Sequence, residues 1–145
     1  MCMNKESTFT RIISGELPSH TIYEDETIYA FLDADPHASG HTLVIPKQPY
    51  ERLHELPKEE AMHLFETLWE LVPIIESAVE ADATTLVLNN GPAADQEIPH
   101  VHWHIVPRFE SDGTLVEYTP LIDGTLTKAE MDTIAANIRT ELRSQ

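Results

Sequence analysis

Three histidines stand at every second position in the stretch IPHVHWHIVPR, residues 98–108. In an extended strand the side chains alternate between two faces, so His100, His102 and His104 would share one face and the apolar residues between them the other. Three unpaired imidazoles in a core would leave polar atoms without partners, so we expect the histidine face to open onto a cleft. The apolar face, with Trp103 at its centre, should pack against helices.

Three kinds of chemistry fit such a row. Alternating histidines can place two or three nitrogens on one metal ion, but no HExxH motif is present and Cys2 is the only cysteine. A neutral imidazole can instead attack phosphorus or an acyl carbon, while a second imidazole assists the leaving group and another group fixes the tautomer of the nucleophile. In the third case the histidines are structural and hydrogen-bond across strands, which the strict alternation of three does not favour.

The segments around the row predict the strands of a single α+β domain. Residues 19–36 predict two short strands around a turn at residues 24–26, and His41–Ile45 predicts a third strand that Pro46 closes. The segment ATTLVLNN at residues 83–90 predicts a fourth strand. We expect this fourth strand to be an antiparallel neighbour of the strand that carries the histidines.

Two amphipathic helices complete the pattern. Residues 57–80 predict a long core helix that begins at Pro57 and that Pro73 should kink or interrupt. The second helix begins with a capping box from Thr127 to Glu130. The apolar residues at helical spacing, which we expect to lie in the core, are Phe65, Leu68, Trp69, Val72, Ile75 and Val79 in the first helix and Met131, Ile134, Ile138 and Leu142 in the second.

Charge is the unusual feature of the composition, with 25 Asp and Glu against 9 Lys and Arg and a formal net charge of -16. Such a surface repels a nucleic-acid backbone, so we expect no nucleic-acid partner, although a local site can still bind a small anion. No apolar run approaches the roughly 20 residues that span a bilayer, so we expect no membrane partner. The start, MCMNKESTFTR, lacks the apolar core of a secretory signal, and we therefore expect a cytoplasmic protein.

The row and its surroundings resemble the histidine triad (HIT) family. HVHWHIV matches the family signature, FTRIISGELPSHTIYEDETIYAFLDADPHASGHTLVIPK is similar to its amino-terminal half, and LNNGPAADQEIPHVHWHIVPR is similar to its active-site half, which together cover about residues 7–110. The resemblance implies an α+β fold with a five-stranded antiparallel sheet, one long helix and a C-terminal helix. It implies one domain over residues 1–145, with a strand and helix extension at residues 111–145. It also implies a homodimer and nucleotidyl hydrolysis or transfer through a covalent nucleotidyl-histidine.

The resemblance also implies a role for each matching residue. His102 matches the nucleophile that attacks the α-phosphate, and the backbone carbonyl of His100 would hold the proton of its other nitrogen. His104 matches the residue that contacts the phosphate and assists the leaving group, and His41 matches a fourth histidine that supports the row from an adjacent strand. Asp33 matches the carboxylate that accepts the ribose hydroxyls. Two amides near the phosphate and an apolar slot for the base, whose members are also typical of a core, complete the match: Asn89, Gln96, Phe9, Ile12, Leu17 and Leu32.

The sequence departs from the family at three places. Many bacterial members bind a structural zinc through a Cys-x-x-Cys pair and a later histidine, and these positions match Ser7, Thr10 and Pro49 here. We therefore expect neither that zinc nor another metal or cofactor. Asp95 stands where a glycine is usual, and a positive φ at this position would cost Asp more than Gly. Trp103 is large for the middle apolar position of the row.

The favoured function is hydrolysis of a purine nucleotide conjugate at its α-phosphate, with phosphoramidates as the preferred class and release of a nucleoside monophosphate. Dinucleoside polyphosphate hydrolysis is the alternative within the family, because residues 36–56 also resemble that branch. A nucleotide-binding regulatory protein with little turnover is the alternative from another class. A histidine metalloprotein is a further alternative, which the metal content of the purified protein would distinguish.

Overall fold

A computed structural model describes residues 6–112 and 126–144 of the chain. The main helices and strands in this range are α1 (Thr8–Ile13), β1 (Thr21–Glu24), β2 (Ile28–Leu32), β3 (Thr42–Pro46), α2 (Lys58–Val79), β4 (Ala83–Leu88), β5 (Trp103–Arg108) and α3 (Lys128–Arg143). The strands form one sheet in the order β1-β2-β3-β5-β4, and every neighbouring pair is antiparallel. The predicted α+β fold with a five-stranded antiparallel sheet, a long helix and a C-terminal helix is confirmed.

The two faces of the sheet pack against different helices, because side chains along each strand alternate between the faces. One face, which we call the α2 face, packs against α2 and α3 through residues such as Ala30 and Val44. The opposite face, which we call the α1 face, has Phe31 and Leu43 packed with Phe9 of α1. His104 pairs with Leu43 of β3, so it lies on the α1 face, away from the main core between the sheet and α2.

The strand that carries the histidines is shorter than predicted. β5 begins at Trp103, so His104 lies within it, whereas His100 and His102 lie in the segment just before it. Leu88, the last residue of β4, pairs with Trp103, so the strand pairing ends at this point. Trp103 packs against the core on the α2 face, and its size is accommodated there on the side away from His104.

The other strand boundaries are close to the predicted ones. β1 and β2 lie within residues 19–36, and the turn between them spans residues 25–27. β3 begins at Thr42 rather than at His41 and includes Pro46. β4 and β5 are antiparallel neighbours, as predicted.

Helix α2 runs from Lys58 to Val79 through Pro73, so the predicted interruption at this proline is not observed. Pro73 is exposed, and Trp69 four residues earlier is 70% exposed. Pro73 has no N–H to donate to the backbone carbonyl of Trp69. That carbonyl lies on the solvent side of the helix, where water can be its donor instead. An exposed proline is tolerated for this reason at a position where a buried one would leave a polar atom without a partner.

Part of the apolar stripe that we predicted in the core is on the surface. Leu68 and Ile75 are buried, as predicted, but Phe65 is 54% exposed and Trp69 is 70% exposed. The buried stripe instead includes Leu64, one position before Phe65. Residues three and four apart share a helix face, so α2 carries apolar side chains on two adjoining faces, and the sheet covers one of them.

Helix α3 begins with the predicted capping box, in which the Thr127 side chain accepts the backbone N–H of Glu130 at 3.1 Å. It packs against α2 and buries Ile138. None of the helices in the described ranges is long and apolar enough to cross a membrane. Cys2 and the part of the predicted strand and helix extension at residues 113–125 lie outside the described residues.

Candidate active site

An open pocket of about 640 Å³ lies beside the histidine row. The loop after β2, the loop between β4 and β5, and side chains of α1, β3 and β5 form its walls. The residues that line it are Phe9, Asp33, Asp35, His37, Leu43, Asn89, Pro92, Asp95, Gln96, Glu97, Ile98, His102 and His104.

The pocket brings together many of the site residues that the sequence predicted, although not all of them. His100, the first histidine of the row, is buried and its carbonyl is hydrogen-bonded to His102, and the buried His41 is hydrogen-bonded to His104. Three residues predicted for the base slot are not among the lining residues: Leu32 belongs to the core on the α2 face, Ile12 packs against the cluster on the α1 face, and Leu17 follows α1. Those that do line the pocket are Phe9, Asp33, Asn89, Gln96, His102 and His104.

The hydrogen bonds of His102 leave a free nitrogen lone pair at the pocket. Its Nδ1 lies 2.7 Å from the backbone carbonyl of His100. A carbonyl oxygen only accepts, so Nδ1 carries the ring proton and Nε2 has the lone pair. Burial lowers the pKa of His102 from its ordinary value of 6.5, against the opposing effects of the His100 carbonyl and the Glu97 carboxylate. Near neutral pH the ring is therefore a neutral imidazole, the form that acts as a nucleophile.

The neighbouring His104 offers a proton instead. The backbone N–H of His37 donates to Nδ1 of His41 at 3.0 Å, so His41 carries its ring proton on Nε2. That nitrogen lies 2.9 Å from Nδ1 of His104 and donates to it, which leaves the proton of His104 on its own Nε2. Burial lowers the pKa of His41 to about 3 and that of His104 to about 4, so both rings are neutral near pH 7. With ring centroids 4.9 Å apart, His102 and His104 present a lone pair and an N–H side by side.

Acidic side chains dominate the rest of the pocket. Asp33, Asp35, Asp95 and Glu97 line it, and no Lys or Arg is found among the described residues of its wall. Burial raises the pKa of Asp33, whose Oδ1 accepts the backbone N–H of Asp35 at 2.9 Å. Its Oδ2 lies 3.5 Å from Nε2 of His41. An anionic group bound here must therefore rely on N–H donors rather than on basic side chains.

The loop between β4 and β5 is held in place by Gln96. Its Oε1 accepts the backbone N–H of Gly91 at 2.6 Å, and its Nε2 donates to the carbonyls of Glu51 at 2.8 Å and Ile98 at 3.1 Å. These bonds engage the amide oxygen and both amide protons, so the side chain holds the loop instead of being available to a phosphate. Asp95 adopts φ 65° and ψ 27°, the left-handed conformation that a glycine takes without strain.

Asp33, His41 and His104 could each offer one ligand atom to a metal ion, and these three atoms lie within 4.8 Å of one another. The hydrogen bonds do not suit a metal ion at this position. Because the N–H of His37 donates to Nδ1 of His41, the Nε2 of His41 holds its proton and has no lone pair for an ion. We therefore derive no step through a metal, and the absence of a metal cofactor stays a prediction.

Sequence reasoning missed several residues that line the pocket. Leu43 stands two positions after His41, and the alternation of β3 could have placed it on the face of the histidine row. His37, Asp35 and Glu97 are in loops, where no periodic pattern marks the side chains that turn toward a site.

Comparisons with known proteins agree with this geometry. The sequence profile of the HIT domain matches residues 14–111. An uncharacterized HIT-like protein of Methanocaldococcus jannaschii is 39% identical over 131 residues, which cover 90% of this chain and 97% of that protein. An adenosine 5′-monophosphoramidase of Saccharomyces cerevisiae is 39% identical over 112 residues, which cover 74% of this chain and 66% of that protein. The crystal structure of a hypothetical histidine triad nucleotide-binding protein from Sulfolobus tokodaii superposes with a TM-score of 0.84 at 34% identity, over 94% of this chain and 92% of that one.

Proposed function

The chain belongs to the histidine triad family, and we propose that it hydrolyses purine nucleotide conjugates at the α-phosphate, with phosphoramidates as the preferred class. The observation that carries this proposal is the lone pair on Nε2 of His102 beside the N–H on Nε2 of His104, both at one pocket. The similarity to a protein named adenosine 5′-monophosphoramidase supports the choice of substrate class.

The proposed reaction has two displacements at phosphorus. In the first, Nε2 of His102 forms a bond to the α-phosphorus while the bond from phosphorus to the leaving nitrogen breaks. The leaving nitrogen keeps the bonding electron pair and takes a proton from the medium through the open pocket. In the second, water attacks the phosphorus, the bond to Nε2 breaks and its electron pair returns to His102, and the proton of the water goes back to the medium. The products are an amine and a nucleoside monophosphate.

Neighbouring groups would assist both displacements without changing their own charge. The carbonyl of His100 holds the Nδ1 proton of His102 and stabilises the positive charge that this ring carries in the covalent intermediate. The Nε2–H of His104 donates to a phosphate oxygen or to the leaving group as negative charge develops there. The carboxylate of Asp33 is suited to accept from the ribose hydroxyls at the wall of the pocket.

The acidic wall of the pocket supports an uncharged or cationic leaving group. Asp35, Asp95 and Glu97 line the pocket beside the histidines. A second nucleotide joined through a polyphosphate would add negative charge next to these carboxylates, whereas an amine adds none. This charge pattern favours phosphoramidates over the dinucleoside polyphosphates of the alternative hypothesis.

Hydrolysis of adenosine 5′-phosphoramidate by wild type and by His102→Ala tests the proposal. Wild type should release AMP and form a nucleotidyl-protein that acid quenching and mass spectrometry detect. His102→Ala should lose about 1000-fold or more in kcat and form no adduct. His54→Ala, which removes an exposed histidine outside the pocket, is the matched control and should behave as wild type. Equal activity of wild type and His102→Ala would contradict the assignment of the nucleophile.

The same assay with a diadenosine polyphosphate distinguishes the alternatives. Faster turnover of that compound than of the phosphoramidate would favour the dinucleoside polyphosphate branch. Tight AMP binding without turnover of either compound would favour a nucleotide-binding regulatory protein.

We further propose that two copies associate through an apolar surface on α2 and β4. Met62, Phe65, Trp69 and Leu86 are exposed, and β4 is an edge strand of the sheet that the described residues form. Exposed apolar patches and uncovered edge strands are typical of contact surfaces. One domain over residues 1–145, a cytoplasmic location and no membrane partner complete the proposal. The net charge of -16 supports the further proposal that the protein has no nucleic-acid partner.

A further inference from the structure

Ser7, at the N-cap of α1, contacts the histidine row from the opposite end of the chain. Its Oγ lies 2.7 Å from Nδ1 of His100, and both residues are buried. We propose that Ser7 is a positioning residue that fixes the ring of His100 and, through the backbone of His100, the nucleophile His102. This inference rests on the proposed function, because it assigns Ser7 a part in the same nucleotidyl transfer.

The direction of each hydrogen bond follows from the groups involved. Nε2 of His100 lies 2.7 Å from the backbone carbonyl of Pro46, which only accepts, so Nε2 carries the ring proton. Nδ1 therefore has a lone pair, and the hydroxyl of Ser7 is the donor to it. The Ser7 oxygen in turn accepts the backbone N–H of Thr10 at 3.2 Å, as an N-cap oxygen does. In each of these hydrogen bonds a donor therefore faces an acceptor.

The contacts extend from Ser7 to the nucleophile. The ring of His100 is held between Ser7 on one side and Pro46, the last residue of β3, on the other. The carbonyl of the same residue, His100, accepts the Nδ1 proton of His102 at 2.7 Å. Phe9 of α1 packs edge-on against both rings, with centroid distances of 5.5 Å to His100 and 5.1 Å to His102. Helix α1 thus holds the first two histidines of the row.

Loss of the Ser7 hydroxyl should disturb the row because it is the donor that the buried His100 ring faces. His100 is 0% exposed, so its Nδ1 would be a buried acceptor without a donor. Its ring would turn or shift to recover a partner, and the carbonyl that sets the tautomer of His102 belongs to the same residue. Small displacements of a reacting group affect the chemical step more than they affect binding of the rest of the nucleotide. The expected effect is therefore on kcat rather than on KM.

Thr10 allows this role to be separated from simple helix capping. The Thr10 hydroxyl accepts the backbone N–H of Ser7 at 2.9 Å and donates to the Ser7 carbonyl at 2.7 Å. Thr10→Val removes these bonds and weakens the start of α1, but it leaves the Ser7 hydroxyl against His100. Ser7→Ala removes both the cap and the contact with His100, and Ser7→Thr retains a hydroxyl that can serve both.

The test compares Ser7→Ala, Ser7→Thr and Thr10→Val in hydrolysis of adenosine 5′-phosphoramidate, with the ring nitrogens of the histidines observed by ¹⁵N NMR. For Ser7→Ala we expect kcat to fall between about tenfold and about 100-fold, with KM within about threefold of wild type. Thr10→Val should keep kcat within about threefold while losing thermal stability, and Ser7→Thr should recover most of the kcat that Ser7→Ala loses. The Nδ1 resonance of His100 should move away from its wild-type position in Ser7→Ala, because the hydrogen bond from the Ser7 hydroxyl is lost.

Two results would overturn the inference: wild-type kcat and unchanged nitrogen resonances of His100 and His102 in Ser7→Ala, or a loss of kcat in Thr10→Val as large as in Ser7→Ala. If wild type itself fails to hydrolyse the phosphoramidate, the proposed function fails. The nitrogen resonances then decide the inference alone, because they report whether Ser7 sets the state of the His100 and His102 rings without any turnover.

Discussion

The neighbouring histidines of the site differ in which ring nitrogen carries the proton, and backbone groups decide each case. The carbonyls of His100 and Pro46 place the protons on Nδ1 of His102 and Nε2 of His100. The N–H of His37 places the proton of His41 on Nε2. A backbone carbonyl or N–H keeps its character at every pH, so the tautomers are set before a substrate arrives. Such preorganisation reduces the rearrangement that the reaction itself requires.

The pKa of His102 predicts the acid side of the pH–rate profile. Burial lowers this pKa below the ordinary value of 6.5, and a proton on Nε2 would remove the lone pair that attacks. Activity requires the unprotonated ring, so the acid limb of kcat/KM should be centred below 6.5. A pH–rate profile with adenosine 5′-phosphoramidate, with folding monitored by circular dichroism at each pH, measures this. An acid limb centred above 6.5 would contradict the prediction.

Glu97 should influence both the nucleophile and the choice of leaving group. Its carboxylate raises the pKa of His102, and it adds negative charge to the wall of the pocket. Glu97→Gln should therefore move the acid limb to lower pH. At low ionic strength it should also raise the rate on a diadenosine polyphosphate, relative to the phosphoramidate, by about fivefold, an effect that added salt should reduce.

The matched control for this variant is Glu59→Gln, which removes a charge of the same sign from the first turn of α2, outside the pocket. Its substrate preference should equal that of wild type. Equal changes in the two variants would show that net charge, and not the pocket wall, determines the preference.

At the scale of secondary-structure elements, Asp25 joins the turn between β1 and β2 to helix α2. Its Oδ1 accepts the backbone N–H groups of Thr27 and Ile28, each at 2.9 Å. Its Oδ2 accepts from the Tyr23 hydroxyl at 2.6 Å and from Nε2 of His63 in α2 at 2.7 Å. Burial opposes ionisation of Asp25, but these donors outweigh it and hold the pKa of the carboxyl well below its usual range. The same environment raises the pKa of Tyr23 to about 12, through burial first and then through Asp25.

Asp25→Asn should lower the free energy of unfolding by about 2 kcal/mol, because the neutral amide is a weaker acceptor and brings donors of its own. A carboxyl whose pKa is depressed in the folded state contributes stability above its unfolded pKa, here 3.8, and loses it as the pH falls below that value. Wild type should therefore lose more stability than Asp25→Asn as the pH is lowered from about 5 to about 3. Urea unfolding at several pH values measures both effects. Parallel pH dependences of the two proteins would contradict the role of Asp25.

The buried face of a helix was predicted correctly where only one face of the helix is apolar. Helix α3 has one apolar face and a capping box at Thr127, and both were predicted correctly. Helix α2 has two apolar faces, and the sequence does not state which one the sheet covers, so Phe65 and Trp69 were predicted in the core although they are exposed. The start of β5 was also predicted too early, because its first residue is decided by pairing with Leu88 of another strand.

At the scale of the whole molecule, a strongly acidic chain has an apolar surface on α2 and β4. The net charge of -16 keeps copies apart wherever charged surfaces face each other. Phe65, Trp69 and Leu86 line a groove of about 730 Å³ in this apolar surface. The proposed association of two copies would bury these side chains at the edge strand β4 and would account for the second apolar face of α2.

Trp69→Glu should convert a dimer to a monomer, because it places a charge in the centre of the apolar surface. Sedimentation equilibrium at micromolar concentration should give about twice the chain mass of 16.4 kDa for wild type and a single chain for the variant. Ala136→Glu adds the same charge to an exposed position of α3 and should remain dimeric. A monomeric wild type would show that the surface does not join two copies.

Patterns within short stretches of sequence were sufficient for the fold and for part of the site. Alternation identified the row of His100, His102 and His104, helical spacing identified α2 and α3, and the order of the motifs indicated the histidine triad family. These features depend on residues that are close in the chain, where the periods of strand and helix determine which side chains share a face.

The family resemblance indicated the His100 carbonyl and His41 as supports of the row, whereas the tautomers of His41, His100 and His104 and the part played by Ser7 came from tertiary packing. Ser7 reaches His100 across 93 residues of sequence, and His41 receives its decisive hydrogen bond from the backbone of a loop residue, His37. The apolar wall has a similar origin, since Leu43 lines the pocket while the expected Leu32 packs on the opposite face of the sheet. Hydrogen bonds and contacts of this kind depend on distances of a few ångströms between distant segments, and these distances exist only once the sheet and α1 have packed together.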